Sequence, residues 1–303
     1  MISLDTIATE QRNSASSHID QLSTLDLIRL INKEDQGVAP AVGAIAAEIA
    51  QAVDIITARV SQGGRLFYIG SGTSGRLGIL DAVECPPTYS TDPSLVQGII
   101  AGGPSAVFRA KEGAEDDSQA GAADLAAHDL TSRDVVVGIS ASGRTPYVVG
   151  ALQYACSIGA AAISVSCSPD SPISRQADLD LCALVGPEVV TGSTRMKAGT
   201  AQKLILNMLS TGTMIRLGKV YGNLMVDVHA SNQKLTERAR RIVMTASGCS
   251  RNEAIEALAQ CHGQAKTAIV MMLLSLTAAD AARALKAADG RIATVLQEAC
   301  HGR

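Results

Sequence analysis

Five short apolar runs, Leu66–Ile69, Val96–Ile100, Val135–Ile139, Ala161–Val165 and Leu179–Leu184, constrain this chain more than anything else in it. Most of their residues are apolar on consecutive rather than alternate positions, the pattern of a strand covered on both faces. Between them lie stretches of helical periodicity at about 74–84, 118–128 and 145–158, and a longer one at about 194–217 closes the series. Doubly covered strands separated by helices predict an α/β fold, with a parallel sheet between helical layers.

The flanks read as helix. Ser23, with Asp26 three residues on, forms a capping-box pattern before the stripe Leu25, Ile28, Leu30 and Ile31. Gly37 and Pro40 interrupt it, and a second pattern runs from Ala41 to Val60, ended by Gly63 and Gly64. After the sheet, helical patterns fall at about 232–246, 252–260, 264–274, 279–287 and 291–299, separated by Gly248, Gly263 and Gly290. Three parts are expected: a helical segment over 1–53, an α/β domain over 54–220 and a helical domain over 221–303.

Composition excludes several partners. Twenty-six Lys and Arg against 29 Asp and Glu, a net charge of -3, leave no basic footprint for nucleic acid. Aromatic residues are 2% of the chain with no Trp, which argues against a base-stacking platform. The seven cysteines form no C-x-x-C pair and the five histidines no H-E-x-x-H, so no metal or other cofactor is expected. Their odd number and scatter suit reduced thiols in a cytoplasm. The longest apolar run, Ala268–Leu274, is far short of the ~20 residues a membrane helix needs, and Asp5, Glu10 and Arg12 occupy the place of a signal-peptide core. Neither membrane nor nucleic acid is an expected partner.

The first strand runs into Gly70-Ser71-Gly72-Thr73-Ser74-Gly75, formally G-x-G-x-x-G before a helix. A dinucleotide site would also need an acid at the end of the second strand, and that strand ends Ile100-Ala101-Gly102-Gly103. The loop's other positions are hydroxyls. Glycine lets the backbone approach a ligand, the helix start presents unpaired N–H groups, and Ser71, Thr73 and Ser74 add O–H donors, which together suit a phosphate monoester. The third strand runs likewise into Ser140-Ala141-Ser142-Gly143-Arg144-Thr145-Pro146. Either loop alone also reads as an ordinary helix cap.

The two loops together resemble the sugar-isomerase (SIS) domain family of phosphosugar-binding proteins. By that resemblance, Ser71, Gly72, Thr73 and Ser74 of the first loop and Ser140, Ser142 and Thr145 of the second would bind the substrate. GTSGRLGILDAVECPPTY at 72–89, EGAEDD at 112–117 and GSTRMKAGTAQKLILNMLSTG at 192–212 further resemble the N-acetylmuramic acid 6-phosphate etherases; the glucokinase regulatory protein shares the first two. The resemblance implies removal of D-lactate from a phosphosugar substrate by elimination and addition of water, without a cofactor. It places the two acid/base residues on Glu84, assisting lactate departure, and Glu115. Read without it, each is a solvated helix end. A non-catalytic phosphosugar sensor would keep both loops and need neither acid.

Proton transfer near neutrality asks that burial raise at least one carboxyl pKa. On a helix, Gly75, Gly78, Ile79, Ala82 and Val83 form one face suited to the sheet, whereas Leu77, Leu80, Asp81 and Glu84 face away and want cover. Glu84 falls ~15 Å beyond Ser74 at 1.5 Å per residue, long for one hexose phosphate. A homodimer is therefore expected, with Glu84 serving the partner's sugar, or its own if the helix breaks near Pro86. Thr191–Lys197 reads equally as a substrate contact or a capped helix start; Arg76 and Arg144 are similarly open. His229 and His262 read as structural, as does the tail module after Gly248, which resembles ubiquitin-associated three-helix modules.

Overall fold

The computed structural model describes residues 8–227 and 233–301; Asp5, His229 and Asn232 lie outside them. The chain divides into two compact units, one of residues up to Val83 with Pro93–Ser210, the other of Glu84–Asp92 with Thr211–Arg303. The helical lead-in thus groups with the sheet.

In the first unit, α1 (Thr24–Asp35), α2 (Val38–Gly43) and α3 (Ala46–Ser61) precede the sheet. Ser23 caps α1 by accepting the Asp26 N–H, as its spacing predicts. Five strands follow, β1 (Leu66–Gly70), β2 (Val96–Ile100), β3 (Val135–Ile139), β4 (Ala161–Ser166) and β5 (Leu179–Cys182), with α4 (Gly72–Tyr89), α5 (Ser118–Ala127) and α6 (Pro146–Ser157) between them and α7 (Lys197–Arg216) after them. All four pairings are parallel, in the order β2-β1-β3-β4-β5. Every residue of β1, β3 and β4 is buried, which is why β1 and β3 show no polar alternation, and the two buried serines of β4 are hydrogen-bonded, Ser164 to Asp180 and Ser166 to Ser168 O.

This order reverses direction at β1. The chain goes from β1 to β2 on one side, then crosses to β3 on the other, so the loops after β1 and β3 leave neighbouring strand ends and open a crevice. In open α/β sheets such a switch point is where ligands bind. At the opposite end, buried Asp134 joins the starts of the same strands, accepting from Arg65 N at 2.7 Å, Arg65 Nη2 at 2.8 Å and Thr131 N at 2.8 Å. Behind the crevice α5 and α6 touch backbone to backbone: a Cβ on Gly150 would lie 1.9 Å from Ser118 O, and one on Gly121 2.0 Å from Tyr147 O.

Three expectations about α4 need correction. Gly75, Gly78 and Ala82 face inward as expected, but Val83 is 59% exposed and Asp81 is buried. The reason is α7, which covers a face of α4 that the sheet alone would leave open. Ser74 bonds Gln202 and Asp81 bonds Ser210, ascending along both helices, so the two run parallel. Burial pushes the Asp81 carboxyl above its ordinary value, against hydrogen bonds from Ser210 and Tyr68. The third correction concerns Pro86: α4 continues through Pro86 and Pro87 to Tyr89, closed by Ser90 N on Pro86 O. Two prolines forfeit two helix hydrogen bonds yet keep helical φ, and here the helix tolerates them.

The second unit is built from a β6–β7 hairpin (Val220–Tyr221, Leu224–Met225) and helices α8 (Gln233–Ser247), α9 (Arg251–Gln260), α10 (Ala265–Leu274), α11 (Ala278–Ala287) and α12 (Ile292–His301). They share a core that includes Val243, Ala254, Ala268, Ile269 and Ala281. Ser250 and Glu253 start α9 with reciprocal capping bonds, and His262 follows its end in a positive-φ turn. Among the described residues no single helix is long and apolar enough to cross a membrane.

Candidate active site

The first loop is the opening turn of α4. Ser71 accepts the Gly75 N–H at 3.1 Å, so the N–H groups of Gly72, Thr73 and Ser74 precede the first helical bond and have no intrahelical acceptor. A Cβ on Gly75 would lie 2.6 Å from Ile100 Cγ1 and 2.7 Å from Gly70 O, so only glycine lets the turn close against the strand. The orphan N–H groups carry the positive end of the helix dipole to the crevice.

The second loop is fixed by backbone bonds, Ser140 N to Val165 O at 3.0 Å and Ile173 N to Gly143 O at 3.0 Å. Gly143 has φ +67°, and a Cβ there would meet Ser171 Cβ at 2.3 Å, so neither the conformation nor the space suits another residue. Ser140 and Thr145 share a hydroxyl–hydroxyl bond of 2.9 Å. Ser142 Oγ accepts the Arg144 N–H at 3.3 Å, which leaves its own hydrogen for another acceptor.

Glu115 ties the two loops together. Its carboxylate accepts the Ser71 hydroxyl at 3.0 Å, and its carbonyl accepts the N–H of Tyr147 in the first turn of α6 at 3.0 Å. Tyr147 is itself fixed, donating its hydroxyl to Asp124 at 2.5 Å; burial and Asp124 hold the phenol protonated by pushing its pKa up. Ser71 is thus engaged with Glu115, whereas the orphan N–H groups of the same turn are open. A cavity of about 210 Å³ beside this turn is lined by Gly72, Arg76, Lys111 and Glu115 among others. Arg76 is no free cation here: it donates to Val107 O and Ala106 O at 2.8 Å each and pins the segment that leads to Glu115.

Glu84 belongs to the second unit. Glu84 and Glu115 are both exposed in the single chain, so the burial that acid/base work calls for is not present there.

The start of α7 resolves part of the ambiguity at Thr191–Lys197. Buried Glu188 caps the helix, each carboxylate oxygen taking one N–H, from Lys197 and from Ala198, at 3.0 Å. Lys197 is buried and its ammonium pairs with Glu34 at 2.8 Å, holding that carboxyl below its ordinary value. Lys197 is therefore a structural tie, and Arg195 is exposed. The sequence reading missed Gln202, which meets Ser74; it lies within the 192–212 stretch, but nothing in its spacing marks it. Among the described residues no three His, Cys, Asp or Glu side chains gather in a group that could hold a metal ion.

Comparison with known proteins places this architecture. The chain is 59% identical over 291 residues to the N-acetylmuramic acid 6-phosphate etherase of Aeromonas hydrophila subsp. hydrophila, covering 96% of this chain and 98% of that one. It is 57% identical to that of Aliivibrio fischeri strain ES114 over 98% and 99% of the two chains. The chain belongs to the N-acetylmuramic acid 6-phosphate etherase family. Within that family's architecture, residues 48–156 match the N-terminal SIS domain of glucokinase regulatory protein, 117–212 the SIS domain, and 222–268 the C-terminal lid domain of glucokinase regulatory protein. Among solved structures, a phosphoheptose isomerase from Neisseria gonorrhoeae superposes with a TM-score of 0.50 at 15% identity, over 63% of this chain and 98% of that one. At that identity the likeness speaks to the fold alone.

Proposed function

We propose that this chain cleaves the D-lactyl ether of N-acetylmuramate 6-phosphate, giving N-acetylglucosamine 6-phosphate and D-lactate, as a carbon–oxygen lyase. The observation that carries this reading is near-full-length identity of 56–59% to etherases, since the SIS fold alone would serve an isomerase equally well. The crevice between β1 and β3 supplies what the reaction asks of it. The helix-start N–H groups and the hydroxyls of Thr73, Ser74, Ser140, Ser142 and Thr145 are the donors for the phosphate. Glu115, joined to Ser71 and to the first turn of α6, is the acid/base group on the loops' own side.

An ether at C3 leaves readily once the sugar ring opens, because the C1 aldehyde acidifies the C2 proton. A base removes that proton, and the C3–O bond breaks with its electron pair going to the lactate oxygen, which takes a proton. Water then adds at C3 and a proton returns to C2, so one water is consumed overall. Glu84 is the acid that protonates departing lactate, and Glu115 is the second proton carrier. Because α4 does not break at Pro86, Glu84 serves the site of a second copy of the chain. Leu80 and Val83, 42% and 59% exposed on the same helix, supply an uncovered apolar surface for that homodimer. The protein works on a soluble phosphosugar, consistent with a cytoplasmic enzyme.

Purified protein incubated with N-acetylmuramate 6-phosphate in heavy water, without added metal or nucleotide, should release D-lactate and leave deuterium at C2 of the product. Lactate release without deuterium would refute the elimination route, and no release would refute the activity. Mixing Glu84→Gln with Ser74→Ala subunits, at a substrate concentration too low for either variant alone to turn over, should recover activity in mixed dimers; none recovered would exclude sharing.

A further inference from the structure

Ser74 and Gln202 are arranged in a way that the bound state must change. Ser74 Oγ donates to Gln202 Oε1 at 2.9 Å, and both residues are buried, at 8% and 1% exposure. Gln202 Nε2, on the same amide, is closed to solvent and has no hydrogen-bond partner among the described residues. A serine hydroxyl has one hydrogen. While Gln202 Oε1 takes it, Ser74 has none to offer an anion. The amide meanwhile leaves two N–H bonds unused in a place where an unmade bond is costly.

One rotation frees the serine hydrogen and puts one amide N–H to use, with Oε1 taking the unpartnered place. Turning the amide by half a turn about its last side-chain bond exchanges oxygen and nitrogen. Nε2 then donates to Ser74 Oγ, and the hydroxyl hydrogen is released toward the crevice. The same stretch of α7 lies against the first loop at Gly199, whose added Cβ would stand 3.5 Å from Thr73 Cγ2, so the helix that carries the amide is seated on the turn it controls.

We propose that Gln202 is a positioning residue that sets which way the Ser74 hydroxyl points. With the crevice empty it accepts from Ser74. With a phosphate monoester present it donates to Ser74 and frees the hydroxyl to donate to the phosphate. The inference rests on the reading of the first loop as the phosphate site.

The test measures KM and kcat for D-lactate release by Ser74→Ala, Gln202→Met and the double variant, each first checked for folding by circular dichroism. Gln202→Met removes the donor at similar volume. A lost hydrogen bond to a charged group predicts a KM raised about 10- to 100-fold in Ser74→Ala, with kcat changed far less. Gln202→Met should raise KM by part of that factor, and the double variant should match Ser74→Ala alone. Multiplicative effects, or a Gln202→Met effect confined to kcat, would overturn the positioning role. An unchanged KM in Ser74→Ala would instead overturn the phosphate reading of the loop.

Gln202→Glu supplies an arm that does not depend on the methionine variant folding. An ionised glutamate can only accept from Ser74, whereas a protonated one can donate. Its KM relative to wild type should therefore fall as the pH is lowered from 9 to 5, and a ratio constant across that range would also overturn the proposal.

Discussion

Glu188→Gln is the change that most sharply tests how α7 is held over the first loop. The two oxygens of the Glu188 carboxylate, 1% exposed, each take one backbone N–H of the first turn of α7 at 3.0 Å. Those groups have no acceptor within the helix. Glutamine keeps the length and shape but replaces one oxygen with NH2, which turns a donor toward a donor. A hydrogen bond to a charged group contributes about 1.5–3 kcal/mol. A negative charge at a helix N-terminus in buried surroundings adds up to ~2 kcal/mol. The expected loss is about 3–4 kcal/mol. For a unit of this size that lowers Tm by about 10 °C. Urea unfolding followed by circular dichroism gives the midpoint directly. Arg29→Gln is the control: it removes an exposed pair of 68% and 56% side-chain exposure and should change stability by less than about 0.5 kcal/mol. A Glu188→Gln protein as stable as that control would refute the capping argument.

Asp134→Asn should cost about 3–5 kcal/mol at neutral pH, because it leaves Arg65 facing a neutral group at the base of β1 and β3. Burial alone would raise the Asp134 carboxyl, but the Arg65 guanidinium and the N–H groups of Thr131 and Arg65 outweigh it and hold it below its ordinary 3.8. Its contribution is then complete above pH 3.8 and lost as the pH falls through the lower folded value; identical acid limbs of the stability curve in wild type and variant would contradict this. Gly150→Ala forces a methyl against Ser118 O and should destabilise by about 1–3 kcal/mol, read by thermal unfolding. Because the same helix holds Glu115 through Tyr147 N, that variant should also lose activity at temperatures where it remains folded. Cys167, buried with its thiol pushed up to about 12, should resist iodoacetamide on the native protein, while exposed Cys156 and Cys300 are labelled first in intact-mass measurements.

The sheet was legible because burial on both faces keeps polar residues few inside its strands, so runs such as Val135–Ile139 carry their own boundaries. The two hydroxyl loops were legible as strand-to-helix turns, because glycines and small hydroxyls cluster where a strand hands over to a helix. The faces of α4 were misread at Val83 and Asp81 because the sequence shows which residues share a helix face, not that α7 returns from over a hundred residues later to cover one of them. Asp81 was placed on a face wanting cover, but nothing local announces Ser210 as its partner. The Glu188 cap was hidden in the same way, lying nine residues before the N–H it accepts, outside the usual cap position. Pro86 and Pro87 left a break open as an alternative, but they stand in the last turn of α4, where their missing hydrogen bonds do not end the helix before Tyr89. Strand order, and with it the crevice between β1 and β3, is a property of crossovers that no local pattern records.

The most direct measurement is a crystal structure with N-acetylglucosamine 6-phosphate bound. The account predicts the phosphate within hydrogen-bond distance of Ser74 and Ser142 together, between the first turns of α4 and α6, with the Glu115 carboxylate toward the sugar ring. A phosphate seated on one loop alone, or bound outside the crevice, would contradict it.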